Sequence, residues 1–73
     1  MTPPEAEAAL PDATRHVARA REMIARQLAR IDILKATGSS VLDAEQTLDV
    51  FLGTLAILED HERRLRKVAG LRR

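Results

Sequence analysis

The chain contains two long stretches without proline in which apolar residues recur with helical spacing. In the first, residues 12–37, Val17, Ile24 and Ile31 lie seven positions apart. The positions between them in the same stripe are Ala13, Ala20, Gln27 and Leu34. Alternating steps of four and three residues keep a stripe on one side of an α-helix, and the mean period of about 3.5 suits a supercoiled pair of helices. The pattern therefore predicts one long amphipathic helix.

The second stretch, residues 41–69, carries the same stripe. Its members are Val41, Ala44, Leu48, Phe51, Leu55, Leu58 and Leu65. Glu62 interrupts the stripe, and a buried carboxylate needs a cationic partner. We expect Glu62 to lie at the edge of the core, paired with Arg15, Arg66 or His16.

Turn-forming residues separate the two stretches. Gly38 is expected to end the first helix in a left-handed conformation, and Ser40 with Asp43 forms a capping-box pattern for the second. A connection over residues 38–40 makes the helices antiparallel neighbours, with residue i level with about 78 − i, so that Arg19 lies near Glu59. The fold class predicted is all-α: an antiparallel two-helix hairpin, with helices over residues 12–37 and 41–69.

The two ends of the chain lie outside the predicted helices. Pro3, Pro4 and Pro11 fall within residues 1–11, which we expect to form an N-terminal arm, flexible or folded as a short helical turn. Gly70 is expected to end the second helix, leaving residues 70–73 as a basic tail.

Some apolar residues lie outside the stripe that one antiparallel partner can cover. They are Met23, Ile33, Val50, Leu52 and Ile57. Scattered apolar residues are common on protein surfaces, so these positions can be without function. We favour the alternative that they form the interface of a homodimer, which would make a four-helix bundle.

Composition supports self-association. A chain of 73 residues buries a small core and usually needs disulfides, a metal or oligomerisation, and this chain has no cysteine. The net charge is +1 and Phe51 is the one aromatic residue, which excludes a strong overall field and base-stacking platforms. No signal-peptide pattern or membrane-spanning run is present, so we expect a cytoplasmic protein with no membrane partner.

Basic residues collect near the end of the second helix. Arg63, Arg64, Arg66 and Lys67 lie in a stretch that contains no acid from residue 63 onwards. These four side chains are candidate contacts for an anion such as a nucleic-acid phosphate. The interpretation that we favour is that they complement the dipole at the helix C-terminus.

Few residues have the type and spacing expected of a metal-binding or catalytic site. His16 and His61 fall at the same level of the predicted hairpin, where two imidazoles with Asp60 and Glu62 nearby raise the hypothesis of a divalent metal site. Neither helix carries a metal-binding His-Glu motif, and His16 lacks the sequence context of a phosphoacceptor histidine. We expect no catalytic residue, metal or cofactor, and hence no enzyme.

The chain also resembles a group of short alphaproteobacterial proteins that are expected to be helical hairpins. The resemblance covers roughly residues 15–65. It rests on His16-Val17-Ala18, residues 21–27, Gly38-Ser39-Ser40, Ala44, Leu48, Phe51-Leu52-x-x-Leu55 and His61. It implies the hairpin fold and assigns no activity, so no residue role follows from it.

These observations together predict a non-enzymatic, self-associating hairpin that acts as an interaction or structural module. The alternative is a small RNA- or DNA-binding regulator that uses the basic open end. A further hypothesis is that the surplus apolar face docks onto another helical protein.

Overall fold

A computed structural model describes residues 1–71 and places them in two helices. Helix α1 spans Pro3–Ala36 and helix α2 spans Leu42–Gly70. The helices pack against each other along their length, in a molecule of 55 × 15 × 13 Å. The cluster of Ala6 and Ala13 with Leu65 and Ala69 joins the start of α1 to the end of α2, as an antiparallel hairpin requires. The predicted two-helix hairpin is confirmed.

Helix α1 begins nine residues earlier than predicted, so residues 1–11 do not form a separate arm. Thr2 caps the helix, since its side chain accepts a hydrogen bond from the Glu5 N–H at 3.3 Å. Pro3 and Pro4 occupy the first two helical positions, where a proline sacrifices no intrahelical bond. Pro11 lies inside the helix and is exposed to solvent.

Packing explains why the helix continues through Pro11. Ala6, five residues before the proline, is fully buried, and Ala9 and Leu10 pack against the same cluster. A proline in a helix interior costs about 3 kcal/mol. Burial of the residues on both sides of Pro11 offsets that cost, and prolines alone therefore gave a wrong boundary.

The turn follows the prediction at its start and differs at its end. Gly38 adopts the expected left-handed conformation with φ 70°, and the Ser39 N–H donates to the Leu34 carbonyl at 2.9 Å. The predicted capping box is absent, because Val41 occupies the N-cap position and no side chain caps α2. Ser40 Oγ instead accepts from the Leu42 N–H at 3.4 Å, a local turn two residues long.

The far end of α2 extends to Gly70, one residue beyond the predicted stop. The backbone N–H of Leu71 bonds to the Val68 carbonyl at 3.1 Å. Of the predicted basic tail, Gly70 belongs to the helix, and residues 72–73 lie outside the range that the structure describes.

Candidate self-association surface

The seam between the helices is only partly covered by the hairpin itself. Its large side chains Val17, Ile31 and Leu65 are buried. The other large seam residues are partly buried: Ile24, Leu34, Val41, Leu48, Phe51, Leu55 and Leu58. A helix in a two-helix hairpin has one neighbour, so a large side chain that projects beyond the contact keeps part of its surface in water. The predicted stripe is thus confirmed as the seam, and several of its large residues keep part of their surface accessible.

Two flanks border this seam, one on each open side of the hairpin. On one side lie the residues that follow seam positions, among them Arg21 and Leu28 on α1 with Leu52 and Glu59 on α2. Arg21 donates to Glu59 across the seam at 2.8 Å, so these residues share one side. We call this side the ion-pair flank. The prediction that Arg19 lies near Glu59 was wrong, because Arg19 lies on the other side of α1 and Arg21 takes its place.

The opposite side carries the residues that precede seam positions. They are His16, Met23 and Arg30 on α1 and Thr47, Thr54 and His61 on α2. Arg30 and Thr47 line one shallow groove together with the seam residues Gln27, Leu34 and Ala44, which places them on one side. We call this side the threonine flank, and Val50 and Ile57 lie in the next row outward on α2.

All five residues predicted for a dimer interface are exposed. Ile57 is 71% exposed, Val50 and Ile33 are both 65% exposed, Leu52 is 46% and Met23 is 41%. Helical spacing places four of them on the threonine flank and its outer row, with Ile33 nearest the turn. Leu52 lies on the ion-pair flank, so its predicted place in an interface requires a contact separate from that of the other four.

The threonines that border Val50 have their hydroxyl groups already bonded. Thr54 Oγ1 donates to the Val50 carbonyl at 3.0 Å, and Thr47 Oγ1 donates to the Asp43 carbonyl at 3.1 Å. A buried hydroxyl costs free energy when it lacks a partner. Covering this flank would leave neither hydroxyl unsatisfied. Sequence analysis missed this feature, although threonine inside a helix commonly bonds the carbonyl one turn earlier.

The polar seam position is also satisfied. Gln27 Nε2 donates across the seam to the Ala44 carbonyl at 2.9 Å, and this bond is partly buried. A polar residue at a seam position favours one register of the two helices, because any slip would leave it without its partner.

The predicted anion-contact residues are largely engaged with carboxylates. Arg64 Nε donates to Asp60 at 2.9 Å, and Arg63 lies 3.6 Å from the same carboxylate. Arg66 lies 3.4 Å from Glu62. The hydrogen bond from Arg64 and its charge hold the pKa of Asp60 below its ordinary value. Lys67 has no ion pair within residues 1–71, so the basic end is partly neutralised.

Glu62 behaves as predicted for an acid in the stripe. Its side chain is 16% exposed, and Arg66, one turn later, is its cationic partner among the three that the sequence offered. Arg15 pairs instead with Asp12 on its own helix. The seam therefore reaches past Glu62 to the buried Leu65 and Ala69.

The histidines lie on the threonine flank and are both exposed. No group of three metal-ligating side chains occurs within residues 1–71. In the same range neither helix has a stretch apolar enough to cross a bilayer.

Leu28 was not among the surplus apolar residues identified from the sequence. Leu28 is 48% exposed on the ion-pair flank, at the level of Leu52. It carries an apolar signal as strong as that of Met23. The charged pair Arg21 and Glu59 on the same flank distinguishes its surroundings from those of Val50.

Comparison of the chain with protein-family models, with curated proteins and with solved structures gave no match.

Proposed function

We propose that this chain is a non-enzymatic interaction or structural module that works as a homodimeric four-helix bundle, closed over the threonine flank. The observation that carries the proposal is the half-buried seam beside an exposed apolar row. Phe51, Leu55 and Leu58 keep part of their surface in water, and Val50 and Ile57 extend that surface outward. Burial of apolar surface contributes about 25 cal/mol per Å².

The threonine flank is the better of the two surfaces for a second copy. Burying the ion-pair flank would remove Arg21 and Glu59 from water, and desolvation of such a pair often exceeds the gain from its attraction. The threonine flank carries the neutral residues Met23 and Ile57 and two threonines whose hydroxyls are bonded. A closed two-fold dimer is the commonest way for identical chains to cover such a face.

The alternative, a nucleic-acid-binding regulator, has less support. Binding by counterion release depends on the net positive charge that a protein presents to phosphates. Arg63 and Arg64 share Asp60, and Arg66 pairs with Glu62. These ion pairs cancel part of the positive charge of residues 63–71, where Lys67 is the one cation that forms no ion pair.

A pair of matched substitutions tests the proposal. Ile57→Glu puts a charge on the threonine flank, and Leu52→Glu puts the same charge on the ion-pair flank. Light scattering after size exclusion should give a dimer for the unmodified chain and for Leu52→Glu. Ile57→Glu should shift the mass to one chain at the same concentration.

Other results would overturn the proposal. A monomeric unmodified chain would refute self-association. The remaining hypothesis would then be that the threonine flank docks onto another helical protein. Loss of the dimer with Leu52→Glu and not with Ile57→Glu would move the interface to the ion-pair flank.

A further inference from the structure

The outer row of α2 on the threonine flank has two halves that complement each other. It begins with Asp43, passes through Val50 and Ile57, and ends at Arg64, with steps of seven residues. Opposite charges therefore lie at the two ends and apolar side chains in the middle. Thr54 lies half-way along, in the neighbouring inner row.

We infer that two copies pack α2 against α2 in antiparallel orientation, across a two-fold axis level with Thr54. The inference rests on the dimer proposed above and specifies its geometry. Residue i of one copy then lies level with about 107 − i of the other. Val50 meets Ile57 of the second copy, and Asp43 meets Arg64 of the second copy at both ends of the contact.

Charge selects this orientation over the parallel one. A parallel pairing would place Asp43 beside Asp43 of the second copy and Arg64 beside Arg64 of the second copy. Both contacts would bring like charges together and would be repulsive. The antiparallel pairing turns the same four charges into two attractive contacts. Asp43 forms no ion pair within the described part of its own chain, so it is available.

Arg64 can serve two acids together. Its Nε and one terminal nitrogen bond to Asp60 on its own helix. A guanidinium group has five N–H donors, which leaves others for Asp43 of the second copy. The intrachain pair with Asp60 also fixes the Arg64 side chain before the copies meet, which lowers the entropy lost on association.

The same row on α1 is less suited to close contact. At the positions that correspond to Val50 and Ile57 in the hairpin, α1 carries Arg26 and Arg19. Two cationic side chains would be level with their counterparts across the axis. The closest contact of the dimer is therefore the one between the two α2 helices.

Disulfide trapping tests the axis directly, because the chain has no cysteine of its own. Thr54→Cys lies at the axis and should link two copies under mild oxidation. Thr47→Cys is the matched control: it shares the flank and the same backbone bonding. At about 1.5 Å per residue it lies about 10 Å from the axis, so its two copies are about 20 Å apart. A disulfide needs Cα atoms within about 7 Å.

A charge reversal provides an independent test of the ends. Asp43→Arg should raise the dissociation constant of the dimer about tenfold, because two-fold symmetry places the substituted residue in both Asp43–Arg64 contacts. Glu45→Arg is the control, since both residues are acids in the first turn of α2 and Glu45 lies on the ion-pair flank. It should leave the dissociation constant within about twofold.

The outcomes separate this inference from the proposed function. Linking at Thr54 and not at Thr47 supports the antiparallel contact, whereas linking at both sites would indicate a parallel one and overturn it. A dimer by mass that links at neither site, or that ignores Asp43→Arg, would overturn the geometry and leave the proposed function standing. A monomeric mass would overturn both.

Discussion

The open end of the hairpin and its middle differ in how completely one chain buries them. At the open end, Ala6 and Ala13 lie against Leu65 and Ala69, and all four are buried. In the middle, Leu48, Phe51 and Leu55 occupy equivalent seam positions and stay half-buried. At the open end Leu65 is the one large side chain among alanines, which cover it, whereas in the middle several large side chains share a single neighbouring helix and keep part of their surface accessible. One chain thus buries the open end completely and leaves part of the middle for the proposed second copy to cover.

Of the substitutions considered, replacing Phe51 in the middle of the hairpin should lower the free energy of unfolding the most. We expect Phe51→Ala to cost about 3–5 kcal/mol, because in a dimer the whole side chain is lost from a packed core. Leu65→Ala at the open end is the matched control, and it should destabilise folding by about 2–5 kcal/mol. Sedimentation of the chains while they are still helical distinguishes the two. Leu65→Ala should keep the dimer mass, and Phe51→Ala should lose it.

A substitution at Pro11 tests how much the open end of the hairpin contributes to stability. Pro11→Ala should stabilise α1 by up to about 3 kcal/mol, because it restores a helical N–H and removes a steric clash. Thermal melting followed by circular dichroism measures the gain. Pro3→Ala, at the first helical position, should change the melting temperature little. No gain from Pro11→Ala would mean that the first three turns contribute nothing to stability.

The hydrogen bond across the seam predicts a smaller effect. Gln27→Ala removes the donor to the Ala44 carbonyl and should cost about 0.5–1.5 kcal/mol in urea unfolding. Gln46→Ala, at an exposed position of α2, should cost less than about 0.5 kcal/mol. Equal effects at both positions would show that the bond does not stabilise the register.

The smallest effect is expected at Asp60. Its lowered pKa means that its stabilising contribution is present above the ordinary value of 3.8 and is lost as the pH falls through the lower folded value. The contribution of Asp60 to the melting temperature should therefore stay constant between about pH 5 and 8. Because the group is accessible to solvent, Asp60→Asn should shift the melting temperature by no more than about 2 °C at pH 7. A larger shift would give this exposed pair a structural role.

The seam and the turn were predictable because both depend on local signals. Spacing of three and four residues identifies one side of a helix, and Gly38 is the residue that tolerates a positive φ. The hairpin follows from these two features. The split into two flanks was also within reach, since helical spacing alone puts Leu52 and Val50 on different sides of α2.

The start of α1 and the cap of α2 were not predictable in this way. Pro11 is typical of a helix break, and the burial of Ala6 that overrides it depends on Ala69, more than sixty residues away. Ser40 and Asp43 fit a capping pattern, yet Val41 occupies the N-cap position. Tertiary packing and turn geometry decided both cases. The candidate surface was predicted from the apolar residues that lie outside the seam. The choice of the threonine flank for the proposed dimer depended on the Arg21–Glu59 contact, which only the structure shows.

Sedimentation equilibrium of the unmodified chain tests self-association most directly. At tens of micromolar we expect twice the chain mass of 8.1 kDa and a melting temperature that rises with protein concentration. The mass of a single chain, with full helicity and a melting temperature independent of concentration, would contradict self-association.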